Sequence, residues 1–237
     1  MTASASASAK RSGVIAPYGG TLVDLMVPSA EHAALKASAT KTLECSDRNA
    51  CDVELLVVGG FSPLRGFMHH EDYDAVVSGH RTSAGHLFGL PIVMDTDRDD
   101  VVVGDKLLLT YKGQELALLE VEDKWEPNKV VEAQGCYDTT SLEHPAVRMI
   151  AMERKCFYLG GPLKGLELPS RVFPCKTPAE VRSDLPHGED VVAFQCRNPI
   201  HRAHYELFTR ALHAQNVSEN AVVLVHPTCG PTQQDDI

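Results

Sequence analysis

Val191-Val192-Ala193-Phe194-Gln195-Cys196-Arg197-Asn198-Pro199-Ile200-His201-Arg202-Ala203-His204 sets two structural signals back to back. The apolar run Val191 to Phe194 predicts a fully buried strand. Polar residues end it, and a helix is expected next, with Asn198 as its N-cap. Pro199 would take the first helical position, where a missing N–H costs nothing. His201 and His204, three residues apart, then share one face of the first turn. Unpaired backbone N–H groups and the positive end of the helix dipole make that turn a seat for phosphate. Arg197, at the strand end, adds a planar fork of donors suited to a tetrahedral oxyanion. Strand, turn and helix together point to phosphate chemistry.

The downstream pattern extends the unit. Ala203, Leu207, Phe208, Ala211 and Leu212 fall on one helical stripe, which is expected to lie on a sheet. Asn216 is expected to close the helix in a left-handed cap, and Ala221 to Val225 to form the next buried strand. A strand–helix–strand unit of this length implies a parallel pair with a right-handed crossover. Ligands bind at the carboxyl ends of such strands, where Gln195, Arg197 and His226 fall.

The run Gln195-Cys196-Arg197-Asn198-Pro199-Ile200-His201-Arg202-Ala203-His204 resembles the active-site motif of the ATP sulfurylase (sulfate adenylyltransferase) family. Three other stretches resemble that family in the expected order: Gly59 to Met68, Glu143 to Val147, and His226 to Thr232. The resemblance implies a nucleotidyltransferase that converts MgATP and sulfate to adenosine 5′-phosphosulfate (APS) and pyrophosphate. Mg²⁺ would arrive with ATP, with no tightly bound protein metal, and the complete protein is expected to be a homo-oligomer. By the same matching, Gln195 and Arg197 bind sulfate, and Arg197 also meets the phosphate under attack. Asn198, His201 and His204 join Gln195 and Arg197 around ATP, and Cys196, Arg197, Asn198, His201 and His204 make up the catalytic set. Cys196 stands where the family usually has threonine, a substitution that removes a hydroxyl donor.

The resemblance also implies the architecture: an α+β, PUA-like β-rich domain over 14–170, then the start of a Rossmann-like α/β nucleotidyltransferase domain over 171–237. Residues 1–13 are expected to be a disordered tail. Family members continue past Ile237 with a glycine-rich loop at the ATP site, so this polypeptide alone is expected to be inactive or nearly so. The alternative from another class is a non-catalytic module that binds ATP or sulfate, or that partners a full-length subunit. Another adenylyltransferase with an H-x-x-H pair is a third reading, disfavoured by the matching upstream domain.

A net charge of −10 argues against a nucleic-acid partner and requires a local positive site for anionic substrates. No apolar run approaches the ~18 residues of a membrane span. Seven cysteines without a C-x-x-C read as free thiols in a reducing compartment, cytoplasmic or plastid. Cys45, Cys51, His69 and His70 match no zinc spacing. Asp95 to Asp100 lacks the alternation and central glycine of a Ca²⁺ loop.

Upstream, Gly20 to Val27, Leu90 to Met94, Lys106 to Tyr111 and Glu115 to Val121 read as strands, the last two a hairpin turning at Lys112-Gly113. Helices are expected to be fewer: Ser29 to Ala37 and Pro145 to Glu153. The Phe61 to Met68 stretch reads as a packing turn, with Arg65 a candidate for the rim of the active site. Proline clusters near Leu168 to Pro174 mark a domain boundary, and Thr177-Pro178-Ala179-Glu180 reads as a capping box.

Overall fold

The computed structural model describes residues 13–228. They divide into two units, 17–170 and 171–228 with 13–16. The first contains α1 (Ser29–Ala37), β1 (Lys41–Glu44), α2 (Asp47–Val57), β2 (Gly66–Phe67), α3 (His70–Gly79) and β3 (Met94–Thr96). After these come β4 (Lys106–Tyr111), β5 (Gln114–Glu120), β6 (Asp123–Trp125), α4 (Lys129–Tyr137), α5 (Pro145–Met152) and β7 (Phe157–Gly165). The second unit contains α6 (Pro178–Asp184), β8 (Val191–Cys196), α7 (Arg202–Leu212) and β9 (Val222–Pro227).

β7 is the hub of the first unit. Its first half pairs antiparallel with β3 and β6, and its second half with β2 and β5. The change of partners falls at Gly160-Gly161, where neighbouring backbones close in. A Cβ on Gly161, whose φ is +148°, would lie 1.9 Å from the Glu120 carbonyl oxygen. One on Gly160 would lie 2.4 Å from that of Met68. Only glycine admits both contacts. From β5 the sheet continues through antiparallel β4 to parallel β1. Its core is built on Leu107, Leu109, Leu116, Leu119, Tyr158 and Leu159, all fully buried.

The β4–β5 hairpin forms as the alternation predicts. Lys112 (φ 49°) and Gly113 (φ 82°) both turn left-handed, as a two-residue hairpin turn requires. The strand expected over Gly20 to Val27 is reduced to a single bridge, Met26 to Gly165. Its backbone groups go to separate partners: Val23 N to Ser62 Oγ, Leu25 N to the Val57 carbonyl, and Val27 N to that of Gly165. No ladder can form from donors so divided. The strand expected from Leu90 begins only at Met94, past Pro91, which has no N–H to offer.

Helices are more numerous than expected. α2 starts on Ser46, whose hydroxyl accepts from Asn49 N at 3.1 Å, and it buries Ala50, Val53, Leu56 and Val57. α3 buries Tyr73, Val76 and Val77. α4 turns Glu132 and Ala133 inward. The buried Glu132 Oε2 accepts from both Tyr73 OH and Tyr158 OH, each at 3.0 Å. Burial pushes the Glu132 carboxyl up, against the lowering effect of the two phenols. Nearby, the half-buried Arg154 offers Nη1 to Asp95 Oδ1 at 3.1 Å, and Asp95 also accepts from Asn49 Nδ2. Arg65 is exposed on a cleft of about 480 Å³ whose walls include His69, His86 and Glu122.

In the second unit the capping box is present. Thr177 N donates to Glu180 Oε2 at 2.7 Å, and Glu180 N donates back to Thr177 Oγ1. β8 and β9 run parallel, in register from Val191↔Val222 to Cys196↔Pro227. The expectation of full burial fails for both strands: β8 alternates between half-buried and exposed up to Cys196, and β9 is half-buried and then exposed. Among the described residues this sheet has two strands, so most of its surface has no neighbour to cover it. α7 packs through Phe208, whose ring meets Phe194 at 5.8 Å, whereas Ala203 and Leu207 of the expected stripe are exposed. The helix ends at Leu212 with His213 as C-cap, not at Asn216. His213 Nδ1 lies 2.7 Å from the Thr209 carbonyl, closing the last turn without a left-handed residue.

Candidate active site at the ends of β8 and β9

Two parallel strands and one helix bring the candidate residues to one end of the second unit. The strands are tied at their starts by a reciprocal pair: Asp190 N donates to Ser218 Oγ, and Ser218 N to Asp190 Oδ2, each at 2.9 Å. With the starts fixed, the register places Gln195 beside His226 and Cys196 beside Pro227. The Cys196 carbonyl accepts from Thr228 N at 2.8 Å, carrying the pairing one residue past β9.

Arg197 and Asn198 follow in an exposed loop rather than a helix. Asn198 is not the N-cap. That position falls to His201 (φ −120°, ψ 175°), and the helix begins at Arg202. The residue before a proline avoids helical backbone, and here the loop bends at Arg197 and Asn198 and runs on to Ile200 before the helix starts. The His201 side chain makes no capping hydrogen bond, so the N–H groups of the first turn have no side-chain acceptor there.

His201 and His204 nevertheless share a face. Their rings stack with centroids 3.8 Å apart and planes 27° apart. Phe194, on β8, meets the His204 ring at 5.2 Å. His204 is thus held between an aromatic of the strand and the histidine before the helix. Its Nδ1 is buried and without a hydrogen-bond partner. Such an atom favours a ligand that supplies the missing bond.

Gln195 is exposed; its Nε2 donates to Thr228 Oγ1 at 2.8 Å and to the Cys196 carbonyl at 3.3 Å. Cys196 is 7% exposed. Thr228 enters the sequence analysis only within the stretch His226 to Thr232 and Phe194 only as a strand residue, and the Asp190–Ser218 pair has no part in it. The signal for Thr228 was its place directly after the second strand. Among the described residues, no group of three or more His, Cys, Asp or Glu side chains is placed to hold a metal ion. No helix among them is long and apolar enough to cross a membrane.

A β-rich unit followed by a parallel β–α–β element with two histidines at its helix start defines a PUA-like domain joined to a nucleotidyltransferase-type segment. The comparisons agree. The PUA-like domain family matches residues 15–168 and the ATP-sulfurylase family residues 174–237. The chain belongs to the PUA-like domain family over most of its length, and its remaining segment matches the ATP-sulfurylase family. It is 41% identical to a sulfate adenylyltransferase of Chaetomium globosum, over 93% of this chain and 40% of that relative. It is 37% identical to those of Candida albicans and Saccharomyces cerevisiae, over 93% and 94% of this chain. The chain spans 40% to 46% of the length of these relatives. Among solved structures, a hexameric APS kinase from Thiobacillus denitrificans superposes with a TM-score of 0.70 at 27% identity, covering 94% of this chain and 41% of that one.

Proposed function

We propose that the protein carrying this chain is a sulfate adenylyltransferase and that the ends of β8 and β9 hold its reacting groups. The observation that carries the reading is the stacked His201–His204 pair at the start of α7, one short loop from Arg197. A sulfate oxygen attacks the α-phosphorus of ATP in line. The new S–O–P bridge forms as the bond from the α-phosphorus to the α,β-bridging oxygen breaks, and pyrophosphate leaves with that electron pair. Sulfate is already a dianion, so no proton has to be removed. The barrier is the approach of two anions, and the protein's task is positioning and charge neutralisation.

Arg197 offers its guanidinium to sulfate and to the α-phosphate. Asn198, His201, His204 and the first-turn N–H groups of α7 face the departing pyrophosphate, where negative charge grows. Mg²⁺ enters as part of MgATP and shields the phosphates. A multi-subunit whole protein fits the hexameric structural neighbour.

The test is sulfate-dependent ATP–pyrophosphate exchange by the whole protein. Arg197→Ala is expected to lower exchange by about 10²–10³-fold, the usual loss for one preorganised donor at developing charge. Near-full exchange by that variant removes Arg197 from the mechanism.

A further inference from the structure

A second cleft in the first unit, of about 440 Å³, is lined by the start of α2, the end of α5 and the β3 segment. Its acids are mostly engaged. Glu44 accepts from Thr110 Oγ1 and Lys112 N, and Asp47 from Tyr111 OH. Asp95 accepts from Arg154, Asn49 and Lys155 N, and Asp97 from Cys156 N. The donors are not so well matched. The Arg154 side chain is only 10% exposed, yet among the described residues Nη1 alone finds acceptors, Asp95 and the Val93 carbonyl. Nε is buried without a hydrogen-bond partner. The Nε–Nη2 edge, the side of a guanidinium that takes an oxyanion with two prongs, therefore lacks its acceptor. Asp52 and Glu132, whose charges reach Arg154, form no ion pair with it among the described residues.

Two further features face the same cleft. Arg48, in the first turn of α2, is exposed and forms no ion pair among the described residues. The 11-residue α2 also presents its positive end: Ser46 Oγ accepts from Asn49 N, while the N–H groups of Asp47 and Arg48 have no helical partner. We propose that this cleft of the first unit is an anion site, taking a tetrahedral oxyanion on Arg154, Arg48 and the first turn of α2. The ligand is free phosphate or the phosphate ester of a small molecule, whose carbon part has room beside Leu43 and Met149. Glu153, exposed on the wall and without an ion pair among the described residues, is the lining acid that opposes it.

The experiment is titration calorimetry on the whole protein carrying Arg197→Ala, which weakens anion binding at the ends of β8 and β9. Inorganic phosphate and glycerol 3-phosphate are titrated separately, in chloride buffers of constant ionic strength. Arg48→Gln is expected to weaken binding about 10-fold or more, the usual loss for a charged hydrogen bond. Arg154→Lys keeps the charge but loses the two-pronged edge, and it is expected to weaken binding as much. Glu153→Gln is expected to tighten binding about two- to fivefold, because it removes an opposing surface charge. Arg48 is exposed, so its variant keeps the test open where Arg154→Lys fails to fold. Binding of inorganic phosphate alone supports the site with the free ion as its ligand, and binding of both probes supports it with the ester as well.

Absence of binding by both probes overturns the proposal. So does an affinity in Arg48→Gln that stays within about twofold of the parent, since a lost charged hydrogen bond exceeds that. Weaker binding in Glu153→Gln overturns it as well. With Arg197 intact, Arg48→Gln is expected to leave the KM for sulfate and for MgATP unchanged. A rise in either assigns Arg48 to the substrate seat and overturns the proposal. The titrations need no turnover, so a whole protein without sulfate-dependent exchange refutes the proposed function and leaves this inference standing.

Discussion

Tyr158→Phe removes one hydroxyl from a fully buried site on the hub strand of the first unit. The Tyr158 OH is one of two donors to Glu132 Oε2, the other being Tyr73 OH, and Glu132 is 4% exposed. The ring is kept, so its packing against Trp125 at 5.9 Å and the Arg154 guanidinium above it at 5.7 Å should persist. The loss is therefore one hydrogen bond to a buried carboxylate, about 2 kcal/mol.

The sign of the pH dependence follows from Glu132. Burial raises its folded-state pKa above the ordinary carboxylate range, while the phenols pull it down. A raised carboxyl contributes stability that is complete below its unfolded pKa and is lost as pH rises through the folded one. Without the Tyr158 donor the folded pKa rises further, so the variant loses more over the same climb. The gap from wild type should thus be about 2 kcal/mol at pH 8 and roughly 1 kcal/mol or less below pH 4.5, where only a bond to a neutral acid is missing. Trp125, the sole tryptophan, is buried beside Tyr158 and reports the transition by fluorescence in urea titrations at the two pH values. A loss of equal size at both, or no loss at pH 8, refutes the reasoning. Glu132→Gln should abolish the difference between the two pH values.

Two further perturbations test the first unit. Asp52 is pushed up to about 6, first by burial and in spite of Arg154 and Arg48, so its charge works against folding at neutral pH. Asp52→Asn should raise the urea midpoint at pH 8 and leave it nearly unchanged below about pH 3, where the aspartic acid is neutral in the folded and unfolded chain alike. Gly161→Ala would set a methyl 1.9 Å from the Glu120 carbonyl at a φ of +148°. It should cost about 3 kcal/mol or more in the same titration, with the unit splayed where β7 changes partners.

The parts that the sequence made legible are those where local chemistry and tertiary packing ask for the same thing. Lys112-Gly113 between two alternating runs, and Thr177 with Glu180, are satisfied within a few residues of themselves, and the structure has both. β7 was not legible, because Gly160-Gly161-Pro162 is written like a turn. The glycines answer to backbones of β2, β5 and their neighbours, which no local window contains. α2 carried a readable signal, an N-cap serine followed by inward positions at helical spacing. α4 did not, since its buried face holds a glutamate that is tolerated only because two tyrosines from α3 and β7 meet it. At the site, the parallel pair and the shared face of the two histidines were legible from spacing. The commitment of Gln195 to Thr228 was not, because it depends on strand register.

The start of α7 gives the last prediction, because the helix begins three residues later than Asn198-Pro199 suggests. With Pro199 as the first helical residue, the N–H of His204 would be bonded to a carbonyl one turn back and lost to any ligand. With His201 as N-cap, the groups at Arg202, Ala203 and His204 are the ones a helix leaves without internal partners. A serine or aspartate at position 201 would ordinarily satisfy one of them, and histidine here makes no such bond. It stacks on His204 instead, giving up capping stability and leaving the donors open. His201→Ser should therefore stabilise the helix by about 0.5–1 kcal/mol while weakening the site. In the whole protein it should lower pyrophosphate exchange and raise the KM for pyrophosphate, with the KM for sulfate unchanged. His201→Ala removes the ring without adding a cap and separates the two effects: it should lower exchange with no gain in stability. If the serine variant gains stability and keeps full exchange, neither the open donors nor the stacked imidazole serves the leaving group, and the phosphate seat lies elsewhere.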